Sequence, residues 1–530
     1  MAATVSDKFK REILDNIYQS YLNIGKTQGT DSDRFYLGIG RAEEWDSVSA
    51  GQSERLPPVP NPSENEVIKY QESLQSLKLI TDISYVVPRY NWTFGNFYSA
   101  WDNEYSSNTT IGATGDIQYP YYVITDDNSV FVCLAAGYDD QGNQKPSLYK
   151  PTKRQILPFS NEEDGYVWKF LFTIGAAEAR KFLTSAYMPV EKFLADSEQD
   201  PRYINATTAR QNQWQIQDSA VRGQIVGIAI DSGGTGYTTP PTVSIIGTPH
   251  RLPNANFKLG TKMVKSRDSA EAVARVANGS VFQVVMKRNI GDSDVYRFGQ
   301  NYANASIHFD GGGGTGAKGR AIIVGGDSGM GSNPVINLNS SALMFHTTLT
   351  GTENNDFNVR NDFRQVGLIK NPQKDSAQFG SFVPALGRDS ATTAVTAQVY
   401  KKLYVTGAAG FAGDLTGDQL IVQGGTGLPV EPACILDYFD ATNEIAYVHQ
   451  TRETGFQMFE SDATHSLTFY ENRNKTGNLG TCNIVPNSNG PNLRPAEADR
   501  FSGTVIYIDN RVAIVRDDEQ TEDVKIVIDL

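Results

Sequence analysis

GQIVGIAIDSGGTGYTTPPTVSIIG, residues 223–247, is the stretch on which the reading of this chain turns. Ile225, Val226, Ile228 and Ile230 crowd branched apolar side chains into a run too short for a stable helix. Such residues pack well on a pleated surface. The run stops at Gly233-Gly234-Thr235-Gly236-Tyr237 and a proline pair, a turn signal, and resumes at residues 242–246. A second stretch, GSVFQVVMKRNIGDSDVYRFGQNYANASIHFDG (279–311), has the same plan: a strand, a Gly-containing turn with a Tyr, and a second strand. The second strands share a Ser-Ile pair, Ser244-Ile245 and Ser306-Ile307. Each unit is followed by an Ala-rich run, AEAVARVANG and GAKGRAIIVGG, and residues 248–268 interrupt the first unit. Two β-units of one plan bury their faces against each other, so residues 221–326 are expected to form a self-contained β insert.

Outward from there the chain keeps its β character. ISYVVPRYNW, YYVITDD, SVFVCLAA and DGYVWKFLFTI read as strands upstream of the insertion, and RFYLGIGRAEEW as a strand entering a loop. Residues 390–475 form another β-rich stretch with Gly-rich turns, and the polar residues 476–497 after it read as a linker. Helices are expected near the N-terminus. Phe9, Ile13, Ile17 and Tyr21 make an apolar stripe with Leu14 and Leu22 beside it, Ser6 as the cap and Gly25 as the stop. A second helix is expected over 63–79, with Val67, Tyr70, Leu74 and Leu77 on one side, and a short one over 176–184. Residues 195–220, rich in Gln, Asn and Asp, read as a connection between domains. The fold class is therefore mainly β, β-sandwich-like and multi-domain, with a few helices near the N-terminus and two β-rich insertions. With 530 residues and ~100–200 residues per domain, three to five domains are expected.

The totals narrow the function. Net charge is -13, and no Lys/Arg cluster of the kind that tracks a phosphate backbone occurs, so no nucleic-acid partner is expected. No run of ~18 apolar residues exists, so no membrane insertion is expected, and the first residues have no apolar core of signal-peptide type. Cys133, Cys434 and Cys482 are far apart and odd in number, and read as buried free thiols.

Candidate chemistry is sparse. GGGGTGAKGR (311–320) departs from a phosphate loop, because Ala317 separates Gly316 from Lys318 and Gly319 stands where a hydroxyl is needed. It reads as a β-turn. The five histidines, His250, His308, His346, His449 and His465, show no ligand spacing. Asp126-Asp127 and Glu162-Glu163-Asp164 read as solvated turns, and Asp139, Asp140 and Asn143 miss the spacing of a calcium loop. No nucleophile elbow or HExxH string is present. No catalytic residue, cofactor or metal is assigned, and the chain is not expected to be an enzyme. In PRYNWTFGNFYSAW (88–101) the aromatics suit either a core or a protein interface. Trp92 and Trp101 are the interface candidates.

Four strings, in this order, carry a resemblance: FYLGIGRAEEW (35–45), VPRYNW (87–92), DGYVWKFLF (164–172) and FSGTVIYIDNRVAIVRDDEQTEDVKIVI (501–528). Together they resemble the baseplate wedge subunit of T-even-like contractile-tailed phages, the β-rich wedge protein numbered eight. GGTGYTTPPTVSI is similar to a β-repeat of structural proteins from marine relatives of those phages. The resemblance covers about residues 1–215, 335–375 and 498–530. It divides the chain into a framework N-terminal part (1–215), the β-repeat insertion (216–334), a framework segment (335–375), the second β-rich insertion (376–497) and the framework C-terminal strands (498–530).

The resemblance implies a non-enzymatic structural protein of the virion, made in the host cytoplasm and located in the tail baseplate. It implies a homodimer that contacts other baseplate wedge subunits and helps set the geometry that changes on tail contraction. The competing reading is a receptor- or glycan-binding tail protein acting through the inserted β-modules. A polysaccharide hydrolase is a third, without motifs in its favour.

Overall fold

The computed structural model describes residues 5–22, 33–45, 56–160, 163–249, 269–288, 295–325, 329–353, 356–357, 359, 362–374, 396–425, 427–428, 430–461, 464–488 and 490–530. Gly25, Glu162, His250 and the segment 376–395 lie outside these. The protein is mostly β. Its described strands form three open sheets and two closed barrels. By internal contacts the chain divides into two compact units, residues 1–14, 84–344 and 527–530, and residues 15–83 and 345–526. Both units are discontinuous in sequence.

In the second unit a five-stranded sheet runs in the order Thr396–Gln398, Leu74–Leu79, Phe35–Gly40, Phe363–Lys370, Thr504–Ile514. FYLGIG lies at its centre and is buried along its whole length, which explains a run with no polar alternation. Gly38 faces Gly367 across the strand pair, under the ring of Tyr70. A Cβ at Gly38 would stand 2.3 Å from the Tyr70 hydroxyl, and that hydroxyl donates to the Gly38 carbonyl at 3.0 Å. Two glycines are therefore the condition for this tyrosine to close the core.

The helix expected over 63–79 is half a helix. It spans Glu64–Glu72, capped by Ser63, and the chain then continues as the strand Leu74–Leu79. Leu74 and Leu77 are buried through pairing with Phe35–Gly40. Tertiary pairing overrode a helical spacing that continued by coincidence. The N-terminal helix, Asp7–Leu22, forms as expected, but its stripe is not a core face. Leu14 is buried, while Phe9 and Ile13 are exposed.

In the first unit a four-stranded sheet has the order Tyr122–Ile124, Ser129–Ala135, Val167–Thr173, Phe159–Ser160. Tyr98, Phe131, Trp168 and Phe170 fill its core. The polar segment 195–220 is no linker. It holds the helices Pro201–Ile204 and Thr208–Asp218. The longer one packs on Val167–Thr173 by burying Ile216 and Gln213. Two buried positions in eleven leave no apolar periodicity to read. A further four-stranded sheet contains the strands Thr521–Asp529, Ala342–Thr350, Asp82–Pro88 and Tyr187–Val190, in that order.

The first barrel is built from residues 225–323 and has an internal two-fold plan. Its strands follow the closed order Thr242–Pro249, Ala272–Ala277, Ser280–Met286, Ile225–Thr235, Thr315–Ile323, Tyr302–Asp310. Exchanging the two sequence repeats reproduces every pairing. Ile225–Thr235 pairs with Ser280–Met286, and the Ser-Ile strands pair with each other, with Ile245 opposite Ile307. The second barrel, residues 401–484, also has six strands and a core including Leu403, Ile421, Leu436, Val448 and Phe469. The expected linker 476–497 supplies its closing strand, Asn478–Ile484.

Candidate functional site

The loop 88–101 holds the two tryptophans singled out above, and the structure separates them. Trp101 is buried, at 7% exposure, and its indole N–H donates to the Asn337 carbonyl at 2.9 Å. It is packed inside its own unit and offers little surface to a partner. Trp92 is half-buried, and its Nε1 donates to Ser147 Oγ at 3.2 Å. Phe94, which the sequence reading passed over, is the exposed aromatic of the loop at 68%. The loop is held rigidly: Trp92 N–H donates to Ile124 O and Gly95 N–H to Ser147 O, both at 2.9 Å.

The DGYVW string supports this loop. Asp164 is fully buried, and one carboxylate oxygen accepts from the backbone of Leu148 (3.0 Å) and Tyr149 (3.2 Å) while the other accepts from Tyr166 (3.1 Å). Burial pushes this carboxyl up, against the lowering pull of those N–H groups. Its role is structural. In the second unit Phe456, Met458 and Phe501 are exposed, with Phe456 and Phe501 edge-to-face at 6.0 Å.

An ionic chain, buried at His449 and Asp437 and reaching the surface at Asp418, ties the second barrel to the loop after FYLGIG. His449 Nδ1 lies 2.9 Å from both oxygens of Asp437, and Nε2 lies 3.6 Å from Glu43. Glu43 receives Arg473 at 2.6 Å, and Arg473 also reaches Asp418. Burial alone would lower the imidazole pKa, yet the two carboxylates outweigh it and push it up to about 9. Burial would raise Glu43, but His449 and Arg473 hold it well below the usual carboxylate range. This set is a fastening between barrel and sheet loop, with charges that satisfy one another.

The remaining candidates do not converge. Among the described residues no group of three or more His, Cys, Asp or Glu is placed to hold a metal ion. His308 is on a barrel strand beside Ser306 (3.2 Å), and His346 lies between Asp82 and Asp523 (3.6 and 3.4 Å). Asp126 and Asp127 pair with Lys150 (2.8 Å) and Arg154 (2.6 Å) at the surface. Asp139 accepts from Asn143 N–H at 2.8 Å, closing a turn. Gly311–Gly313 turn with positive φ into the strand Thr315–Ile323, and a Cβ at Gly314 would stand 2.4 Å from the Tyr237 ring. The glycines let the backbone close over a buried tyrosine. The three cysteines are free and buried.

Set against known proteins, the chain matches no family model, and no curated protein is significantly similar to it.

Proposed function

We propose that this chain is a structural subunit of the baseplate wedge of a contractile phage tail. In this reading it is a homodimeric scaffold that binds other wedge subunits, and it takes part in the baseplate's rearrangement on contraction. One observation carries the reading beyond the four strings. Residues inside the wedge-like segments build the three open sheets, apart from the short edge strand Thr396–Gln398. Residues outside them build the two closed barrels and, besides those, only that edge strand among the described sheets. That is the arrangement expected when closed modules are inserted into a framework, since a barrel satisfies its own edges and needs no strand from its host. The exposed loop aromatics, Phe94 with part of Trp92, and Phe456 with Phe501, are the surfaces this role would use.

The test is the mass of the purified chain in solution, alone and mixed with the other wedge subunits of the same phage. A dimer that joins a stoichiometric complex supports the proposal. A monomer that ignores those subunits and binds host envelope refutes it in favour of receptor binding.

A further inference from the structure

On the outside of the second barrel, cations stand in a row with aromatic rings. Residues directly opposite each other in an antiparallel pair project to the same side. Tyr438 is opposite Tyr447, and Tyr447 is opposite Lys402. Arg494 is bridged to Lys402 from the other side. Their neighbours along the chain, Leu403, Phe439, Ala446, Val448 and Leu493, belong to the barrel core. The row therefore faces outward, and all four of its members are partly exposed. The Tyr438 and Tyr447 rings stack at 4.0 Å, and Lys402 Nζ lies 5.3 Å from the Tyr447 centroid. The Arg494 guanidinium lies 3.8 Å from the centroid of Tyr404. Ring faces hold a cation in place without neutralising it. Among the described residues neither cation has an ion pair or a side-chain hydrogen bond, and Lys402 acts on Asp356 only at longer range.

The turn between the strands Thr504–Ile514 and Thr521–Asp529 carries the opposite charge. Asp517, Asp518 and Glu519 are exposed there and have no ion pair among the described residues. The turn is shaped by its own bonds: Gln520 N–H donates to Asp517 O at 3.1 Å, and Glu519 N–H to Asp517 Oδ1 at 3.2 Å. Val515, just before it, is 72% exposed.

We infer that the acidic turn of one copy of this chain seats on the Lys402–Arg494 row of a second copy. At a net charge of -13 two copies repel each other. A contact between them is favoured where the exposed cations of one meet carboxylates of the other. A guanidinium already stacked on a ring has less freedom to lose on binding. Exposed ion pairs alone contribute little, and Val515 with the Tyr404 and Tyr447 rings adds apolar area. Used twice about a two-fold axis, the contact closes a dimer. The inference rests on the homodimer of the reading above and names its contact.

The test is sedimentation of the full chain and of two charge-reversed variants, Lys402→Glu with Arg494→Glu, and Asp518→Lys with Glu519→Lys. These positions are partly or fully exposed, so both variants are expected to melt as the parent does. Each variant alone sets like charges together and is expected to associate about tenfold more weakly than the parent. Mixed in equal amounts, the two are expected to associate again, because the lysines of each meet the glutamates and aspartates of the other. The inference fails if either folded variant associates like the parent, or if the mixture stays monomeric. A dimer that persists in the variants uses another surface, and the homodimer reading then stands without this contact. A parent that is monomeric at every concentration overturns both, and mixing with the other wedge subunits still tests the rest of that reading. Should the Lys402→Glu, Arg494→Glu chain not fold, the Asp518→Lys, Glu519→Lys comparison decides.

Discussion

Replacing His449 by Gln should remove a pH-dependent part of the second barrel's stability. The imidazole is buried against Asp437 and Glu43, with Arg473, Asp418 and Arg500 as the other charges acting on the cluster. In the unfolded chain it titrates near 6.5, and in the fold near 9. Each tenfold change in proton affinity is worth about 1.4 kcal/mol, so the protonated histidine contributes about 3 kcal/mol. The folded pKa is the raised one. The contribution is therefore fully present below pH 6.5, falls as pH rises, and is gone above about pH 9. The parent and His449→Gln chains are equilibrated in urea at each pH, then labelled in a brief hydrogen-exchange pulse at one common pH. Peptides covering 433–449 report this barrel apart from the rest of the chain. The stability difference between the two proteins should be constant below pH 6 and shrink by about 3 kcal/mol by pH 10. A difference that stays level from pH 6 to 10 would refute the assigned ion pairing.

Other outcomes follow from particular contacts. Gly38→Ala, which puts a methyl against the Tyr70 hydroxyl, should cost about 1–3 kcal/mol in urea unfolding, and adding Tyr70→Phe should recover part of it. Trp101→Ala should cost about 3–5 kcal/mol as a buried aromatic truncation, whereas Phe94→Ser should leave the melting temperature unchanged and weaken association with partner subunits. Tyr296→Phe should raise stability by about 1 kcal/mol, because it deletes a buried hydroxyl that has no hydrogen-bond partner among the described residues; calorimetry reads this directly.

Much of the fold was legible in the sequence, and the misses share a cause. The repeat of Gly223–Gly247 and Gly279–Gly311 announced two β-units that face each other, because short branched runs between glycine turns carry their own local signal. Closure into a barrel was not legible. It depends on Ile225–Thr235 meeting Thr315–Ile323, a pairing between distant residues with no local mark. The split of 63–79 into helix and strand had the same origin, since Leu74 and Leu77 suit either period and the pairing with Phe35–Gly40 chose. Helix Thr208–Asp218 was hidden by composition, and strand Asn478–Ile484 by its polar neighbours. Trp92 and Trp101 look alike in sequence, and their different exposure is a tertiary outcome, with the indole N–H of one donating to Ser147 and that of the other to Asn337. The His449 cluster joins residues 43, 418, 437, 449 and 473, a separation no motif spans.

The measurement that bears most directly on the proposed role is electron microscopy of contractile-tailed particles decorated with an antibody raised against this chain. A wedge subunit predicts label in six-fold positions on the baseplate, in both extended and contracted tails. Label confined to fibre tips or to the cell surface, or absent from the particle, would contradict it.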